Sequence, residues 1–180
     1  MPIVDLKPEH CDALLRFFEA LPEGDRTFIK EEVTDQAIVQ AWAAGEDEVR
    51  RWLSTDGDDV CGYVALYRSP GWSDHVGEIR LVVAPGRRGG GLGRALARHA
   101  VVQGLESGLT KLVVEVVAEQ GAALALFTAL GFSGEALLRD HIRDRSGQLR
   151  DLMVLAHHVG ETWSGMATVG VADDLRQPEG

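Results

Sequence analysis

The alternation of apolar and polar positions divides the chain into short elements. Pro2 to Leu6 reads as an opening strand. Pro8 sits where a first helical turn tolerates proline. Cys11, Leu14, Leu15, Phe18 and Leu21 follow at helical spacing, one apolar stripe of an amphipathic helix. Pro22-Glu23-Gly24-Asp25 is expected to end it, and a second helix runs from about Asp35 to Ala44. Val49 to Ser54 and Val60 to Tyr67 flank Asp56-Gly57-Asp58, a hairpin signal.

Val76 to Val83 is the next strand, broken by Pro85-Gly86. A glycine-rich turn from Arg88 to Gly93 leads into a long helix reaching about Ser107. Its apolar arc is wide: Leu92, Ala95, Leu96 and Ala100 form one stripe, Ala97, Val101 and Leu105 the next. Lys111 to Ala118 is β-branched and reads as an interior strand. Ala123, Leu126, Phe127 and Leu130 give a short helix stopped by Gly131. Ala136 to Ile142 and Leu152 to Ala156 form a last hairpin around Ser146-Gly147. The pattern fades after Val159, so residues 1–159 are expected as one domain and 160–180 as a tail. The predicted order, β-α-α-β-β-β-α-β-α-β-β, implies an α/β (α+β) fold. Its sheet is mixed and mostly antiparallel, with helices on both faces.

Composition narrows the function classes. With 180 residues, 45% hydrophobic and 26% charged, the chain can bury one core and is short for two. No apolar stretch approaches the roughly 18 residues of a membrane span. The N-terminus lacks a signal-peptide pattern, so a cytoplasmic location without membrane attachment is expected. Cys11 and Cys61 lie far apart, which argues against a disulfide framework or a thiolate zinc site. A net charge of −10 disfavours nucleic acid as a partner. That charge is uneven. Glu19 to Asp59 holds twelve acids against four bases, whereas Gly86 to Arg98 holds four arginines and no acid. The basic stretch suits a compact anion; the acidic stretch suits a cationic partner or is simply solvated surface.

Five of the 21 glycines fall between Gly86 and Gly93, at a strand-to-helix junction. Glycines there let backbone N–H groups approach a ligand, and the helix start adds its positive dipole end. Arginines around them supply full charges. The result is a phosphate cradle. The dinucleotide fingerprint fails, because the position for its last glycine holds Arg94 or Leu96, and no Gly-Lys-Ser/Thr follows for a P-loop.

The pattern that is met is Arg88-Gly89-Gly90-Gly91-Leu92-Gly93, inside Val83-Ala84-Pro85-Gly86-Arg87-Arg88 and onward. It resembles the acyl-CoA pyrophosphate loop of the GCN5-related N-acetyltransferases, the GNAT superfamily. Downstream, Gln120-x-x-Ala123-x-x-Leu126-Phe127-x-x-x-Gly131-Phe132 is similar to that family's second motif, with Gln120 replacing Asn and Phe127 replacing Tyr. The element order fits from about Ile3 to His158. Leu14 to Leu21 also resembles bacterial protein-lysine acetyltransferase domains of the family.

The resemblance implies a GNAT fold whose sheet splays where the acyl-CoA inserts, and acetyl-CoA as co-substrate with no metal. Carried over residue by residue, Leu81, Val82 and Val83 would offer backbone groups to the pantetheine arm. The Val83 N–H would lie near the thioester oxygen. Arg88, Gly89, Gly90, Gly91, Leu92, Gly93 and Arg94 would hold the pyrophosphate. Gln120, Ala123 and Phe127 would line the cofactor, although Phe127 lacks the phenol that can protonate a departing thiolate.

The implied reaction moves an acetyl group to a primary amine, on a small molecule or a protein lysine, with a carboxylate as general base. Glu78 matches the position of the family's proton acceptor. Glu115 is the second candidate, since an acid within Val113 to Val117 must face something polar. Tyr63, Tyr67 or water would serve as the acid. A cationic acceptor fits the acidic stretch, and a homodimer is a frequent arrangement among relatives. The rival readings are an acyl-CoA sensor without turnover and an interaction domain whose loop holds another phosphate.

Overall fold

The computed structural model describes residues 1–27 and 29–159, so the expected tail lies outside the described residues. The chain order is β1 (Ile3–Asp5), a 3-10 turn (Pro8–His10), α1 (Cys11–Ala20), α2 (Glu23–Thr27) and α3 (Gln36–Ala44). Next come β2 (Arg50–Asp56), β3 (Asp59–Arg68), β4 (Val76–Val83), α4 (Leu92–Glu106) and β5 (Lys111–Val117). α5 (Gly121–Thr128), β6 (Ser133–Arg143) and β7 (Leu149–His158) complete it. The strands form one mixed sheet in the order β1-β2-β3-β4-β5-β7-β6. β4 and β5 run parallel, while β1–β2, β5–β7 and β6–β7 are antiparallel.

Three expectations change. Pro22 ends α1 but also starts another helix: its carbonyl accepts from the Asp25 and Arg26 amides at 3.0 and 3.1 Å, opening α2. Proline suits a helix start, where no N–H is needed. Ala95, placed on the apolar stripe, is exposed. The last hairpin is longer than its apolar pattern, because Asp144 organises the turn. Its carboxylate accepts from the Ser146 hydroxyl at 2.6 Å, the Ser146 amide at 3.0 Å and the Gln148 amide at 2.9 Å.

Contacts cluster into two compact units. The first comprises Met1–Ala65 and Leu81–Leu96. Here Gly62 of β3 faces the start of α4 so closely that a Cβ would lie 2.6 Å from Leu96 Cδ1. A side chain here would require Leu96 to shift. Tyr63, one residue on, points to the opposite face. Its ring stacks on Trp42 at 6.2 Å and meets Phe18 edge-on at 5.3 Å. α1 and α3 therefore cover one face of this part of the sheet, and the first turns of α4 cover the other. Asp35 caps α3, accepting from the Ala37 amide at 2.8 Å. The buried Arg51 guanidinium lies 4.6 Å over Trp42 and makes two bonds to Asp47, at 2.6 and 2.7 Å.

The second unit comprises Leu66–Arg80 and the chain from Ala97 onward. Gly77 of β4 packs toward Leu66, Leu109 and Leu112, and Gly104 of α4 sits against Leu112. That face of β4 and β5 is apolar and helix-covered. On the same face, β7 carries His157, which is 1% exposed, and its ring lies 5.4 Å from Phe132. Its Nδ1 lies 3.2 Å from the Gly131 carbonyl, so Nδ1 carries the proton and donates. Along β4 and β5 the register runs Val76↔Lys111, Gly77↔Leu112, Glu78↔Val113.

Candidate active site

The glycine loop follows from the end of β4. Pro85–Arg87 makes a 3-10 turn, then Gly89 and Gly91 adopt φ of +79° and +85°, a region L-residues avoid. A Cβ at Gly89, Gly90 or Gly91 would meet nothing within 4 Å, so their backbone borders open space. The Ala95 amide bonds to the Gly91 carbonyl at 3.0 Å, the start of α4. The amides preceding it have no partner within the helix and gather at its positive dipole end. Leu92 is buried, Gly93 half-buried, and Arg94 exposed beside the loop.

Two loop arginines have partners in the acidic segment. Arg88 Nε donates to the Val83 carbonyl at 3.1 Å, and a terminal nitrogen donates to Asp25 of α2 at 2.6 Å. Arg87 donates to Asp56 of β2 at 2.5 Å. The basic and acidic stretches are thus not two separate surface fields. Part of each neutralises the other. Asp47 is occupied by Arg51, and Asp35 by its capping role, which trims the acidic surface further. Leu81, Val82 and Val83, the last three residues of β4, are half-buried. The Val83 carbonyl is engaged by Arg88.

A second cluster forms in the unit that holds the first half of β4. Alternation sends Glu78 and Arg80 to the face opposite Gly77. Arg80 donates from Nε and a terminal nitrogen to the two Glu78 oxygens, at 2.8 and 3.2 Å, a two-point pair. Its guanidinium lies 3.8 Å above the Tyr67 ring. Burial pushes the Arg80 pKa down from its ordinary value, and the Glu115 carboxylate works against that. Arg80 is thus a charged group whose interaction reaches Glu115. Arg80 itself was not anticipated, although its spacing of two from Glu78 on a strand is the signal that points to it. Tyr63 is buried in the aromatic core of the other unit. His75 is exposed.

Gln120 precedes α5 as its N-cap residue, without a side-chain capping bond. Ala123 is half-buried. Phe127 is 4% exposed and packs edge-on against Phe132 at 5.3 Å, so its ring belongs to the core. Among the described residues no group of His, Cys, Asp and Glu is placed to hold a metal ion, and no helix is long and apolar enough to cross a membrane.

Residues 13–132 match the family described as "Acetyltransferase (GNAT) family". Streptothricin acetyltransferase of Streptomyces lavendulae is 30% identical over 129 residues, covering 64% of this chain and 68% of that protein. Mycothiol acetyltransferase of Rhodococcus opacus is 33% identical over 124 residues, which are 68% of this chain but 39% of that longer protein. The structure of yncA from Salmonella typhimurium with its cofactor acetyl-CoA superposes with a TM-score of 0.76 at 19% identity, over 89% of this chain and 94% of that one. The glycine cradle after β4 and the extent of these matches agree: the chain belongs to the acetyltransferase (GNAT) family.

Proposed function

We propose that the protein transfers the acetyl group of acetyl-CoA to a primary amine by direct attack, with Glu78 as the general base. The observation that carries this reading is the sequence of features along one strand. β4 presents the Glu78 carboxylate, continues through Leu81, Val82 and Val83, and ends in a loop whose glycine amides border open space at a helix start. Those amides, with Arg88 and Arg94, suit the diphosphate of acetyl-CoA. The backbone of Leu81, Val82 and Val83 suits its pantetheine amides, and Gln120 and Ala123 its flank. Phe127 lines the cofactor as well, without a phenol to donate.

Acetyl-CoA supplies a thioester, an activated acyl group. An ammonium cannot attack it, so Glu78 takes the amine proton. The C–N bond then forms as the C–S bond breaks, and the second proton leaving the nitrogen passes through water to the thiolate. A thiol pKa near 8.5 makes that thiolate a tolerable leaving group. The acceptor is a cationic amine of a small molecule or a protein lysine. Acidic residues of the Glu19 to Asp59 segment that are not engaged by arginines supply the attraction. Glu115 is the second reading for the base, favoured by the two-point pair that ties Glu78 to Arg80.

Thiol release from acetyl-CoA across a panel of amines tests the reading. Turnover with at least one cationic amine is expected, and Glu78→Gln should lower kcat by about 10²- to 10⁴-fold with little change in acetyl-CoA affinity. Tight acetyl-CoA binding without thiol release on any amine would make the protein a sensor. Wild-type kcat in Glu78→Gln would move the base to Glu115.

A further inference from the structure

The cluster on β4 and β5 contains two carboxylates and one guanidinium on a single face of the sheet. Leu112 packs against Gly77 on the helix-covered face. Alternation therefore sends Glu78 and Arg80 of β4, and Val113 and Glu115 of β5, to the other face. Arg80 is fixed from two sides: by its fork on Glu78 at 2.8 and 3.2 Å, and by the Tyr67 ring beneath it at 3.8 Å. The side chains of the pair are 24% and 21% exposed, so neither charge is fully hydrated. A base in this position has an electrostatic problem. Once Glu78 accepts a proton, a half-buried guanidinium loses its counter-ion, which is costly at low dielectric.

Glu115 solves it, since it lies on the same face of the neighbouring parallel strand and its charge reaches Arg80. We propose that Arg80 is a positioning residue that holds the Glu78 carboxylate while it is charged and is neutralised by Glu115 once Glu78 has taken the amine proton. This rests on Glu78 being the base. The step balances. The N–H bond of the ammonium breaks, an O–H bond forms on Glu78, and the cluster passes from one net negative charge to none. Arg80 keeps its proton throughout. Two carboxylates beside one cation thus have separate tasks: one accepts the proton, the other keeps the cation neutralised.

Other groups lie on this face of the sheet. Tyr67 of β3 contributes its ring. In β7, Val154 stands opposite Glu115 and Ala156 opposite Val113, both apolar. Lys111 of β5 is held by Glu135 of β6 at 2.5 Å, and His158 of β7 lies 3.9 Å from that same Glu135.

The test is the pH dependence of kcat/KM for one good amine, measured on wild type, Glu78→Gln, Glu115→Gln, Arg80→Gln and Arg80→Lys. Arg80→Gln should move the acidic limb upward by about one to three pH units, because Glu78 then has a like charge nearby and no cation. Glu115→Gln should move it downward, because Arg80 then serves Glu78 alone. Arg80→Lys should return the limb toward wild type. Such limbs describe the cluster as a whole, so the opposite signs carry the result. Calorimetry with acetyl-CoA and a melting curve show whether each variant is folded. If Arg80→Gln does not fold, Arg80→Lys and Glu115→Gln still decide, since a limb that stays fixed in Glu115→Gln overturns the proposal. A loss of rate equal at every pH in the Arg80 variants overturns it too. An unchanged rate and limb in Glu78→Gln would instead remove the base assignment beneath it.

Discussion

Asp25→Asn distinguishes two ways in which Arg88 can serve the glycine loop. The Arg88 guanidinium uses Nε on the Val83 carbonyl and one terminal nitrogen on Asp25, at 2.6 Å. A diphosphate arriving at the loop competes with the Asp25 carboxylate for that cation. The pair is only partly buried, with side chains 47% and 24% exposed, so it falls in the range of about 0.2–1 kcal/mol typical of surface ion pairs. Removing the competing charge should therefore tighten acetyl-CoA binding by about 1.4- to 5-fold. Arg88→Ala should do the opposite, weakening it by about 1–3 kcal/mol as for a charged hydrogen bond. The double variant should match Arg88→Ala alone. Isothermal calorimetry at one fixed ionic strength provides the measurement, because salt screens both terms. If Asp25→Asn weakens binding as much as Arg88→Ala does, Asp25 aims the guanidinium and competition is refuted. If Arg88→Ala binds normally, the diphosphate does not use Arg88.

Gly91→Val should abolish acetyl-CoA binding in a folded protein, since φ of +85° is strained for a β-branched residue and its side chain would enter the open space beside the loop; calorimetry with near-wild-type affinity would refute this. Burial holds the His157 pKa below its ordinary value, against the raising effect of its bond to Gly131. A depressed value means stability that is complete above about pH 6.5 and lost as pH falls through the folded value. Melting temperature should therefore drop between pH 7.5 and 5, and His157→Gln should flatten that slope; an equal slope in both proteins refutes it. Asp47→Ala removes the two bonds that Asp47 makes to the Arg51 guanidinium, which is 3% exposed. Asp47 is itself 40% exposed, so the cost should be about 1–3 kcal/mol, below that of breaking a fully buried pair. Urea denaturation unchanged within about 0.5 kcal/mol, the range of an ordinary surface substitution, would refute it.

What the sequence makes legible is what local chemistry decides. β4 spans Val76–Val83 as its apolar run predicts, and the glycine loop lies at the strand-to-helix junction because tight turns with φ above zero need glycine. The polar partner of Glu115 is half legible. The strand pattern demands one, and the fold brings the charge of Arg80 on β4 to the same face as Glu115. The pairing of Arg88 with Asp25 spans 63 positions and leaves no periodic trace. For that reason the acidic segment reads as a lone charged surface when several of its acids have structural tasks. Phe127 is legible as a position of the family motif, whereas its edge-on contact with the Phe132 ring comes only from the fold.

The ion pairs of the glycine loop also order events during synthesis. Asp25 precedes Arg88 by 63 positions, and Asp56 precedes Arg87 by 31. At about 5–20 residues per second, the first carboxylate waits roughly 3–13 s for its arginine to be translated. Over that interval the N-terminal segment carries its acidic excess without the cations that later offset it, and like charges keep it from collapsing on itself or on a neighbouring chain. The loop that completes this half of the protein is also the one that offsets two of its acids, Asp25 and Asp56. Premature association is therefore opposed until the arginines emerge.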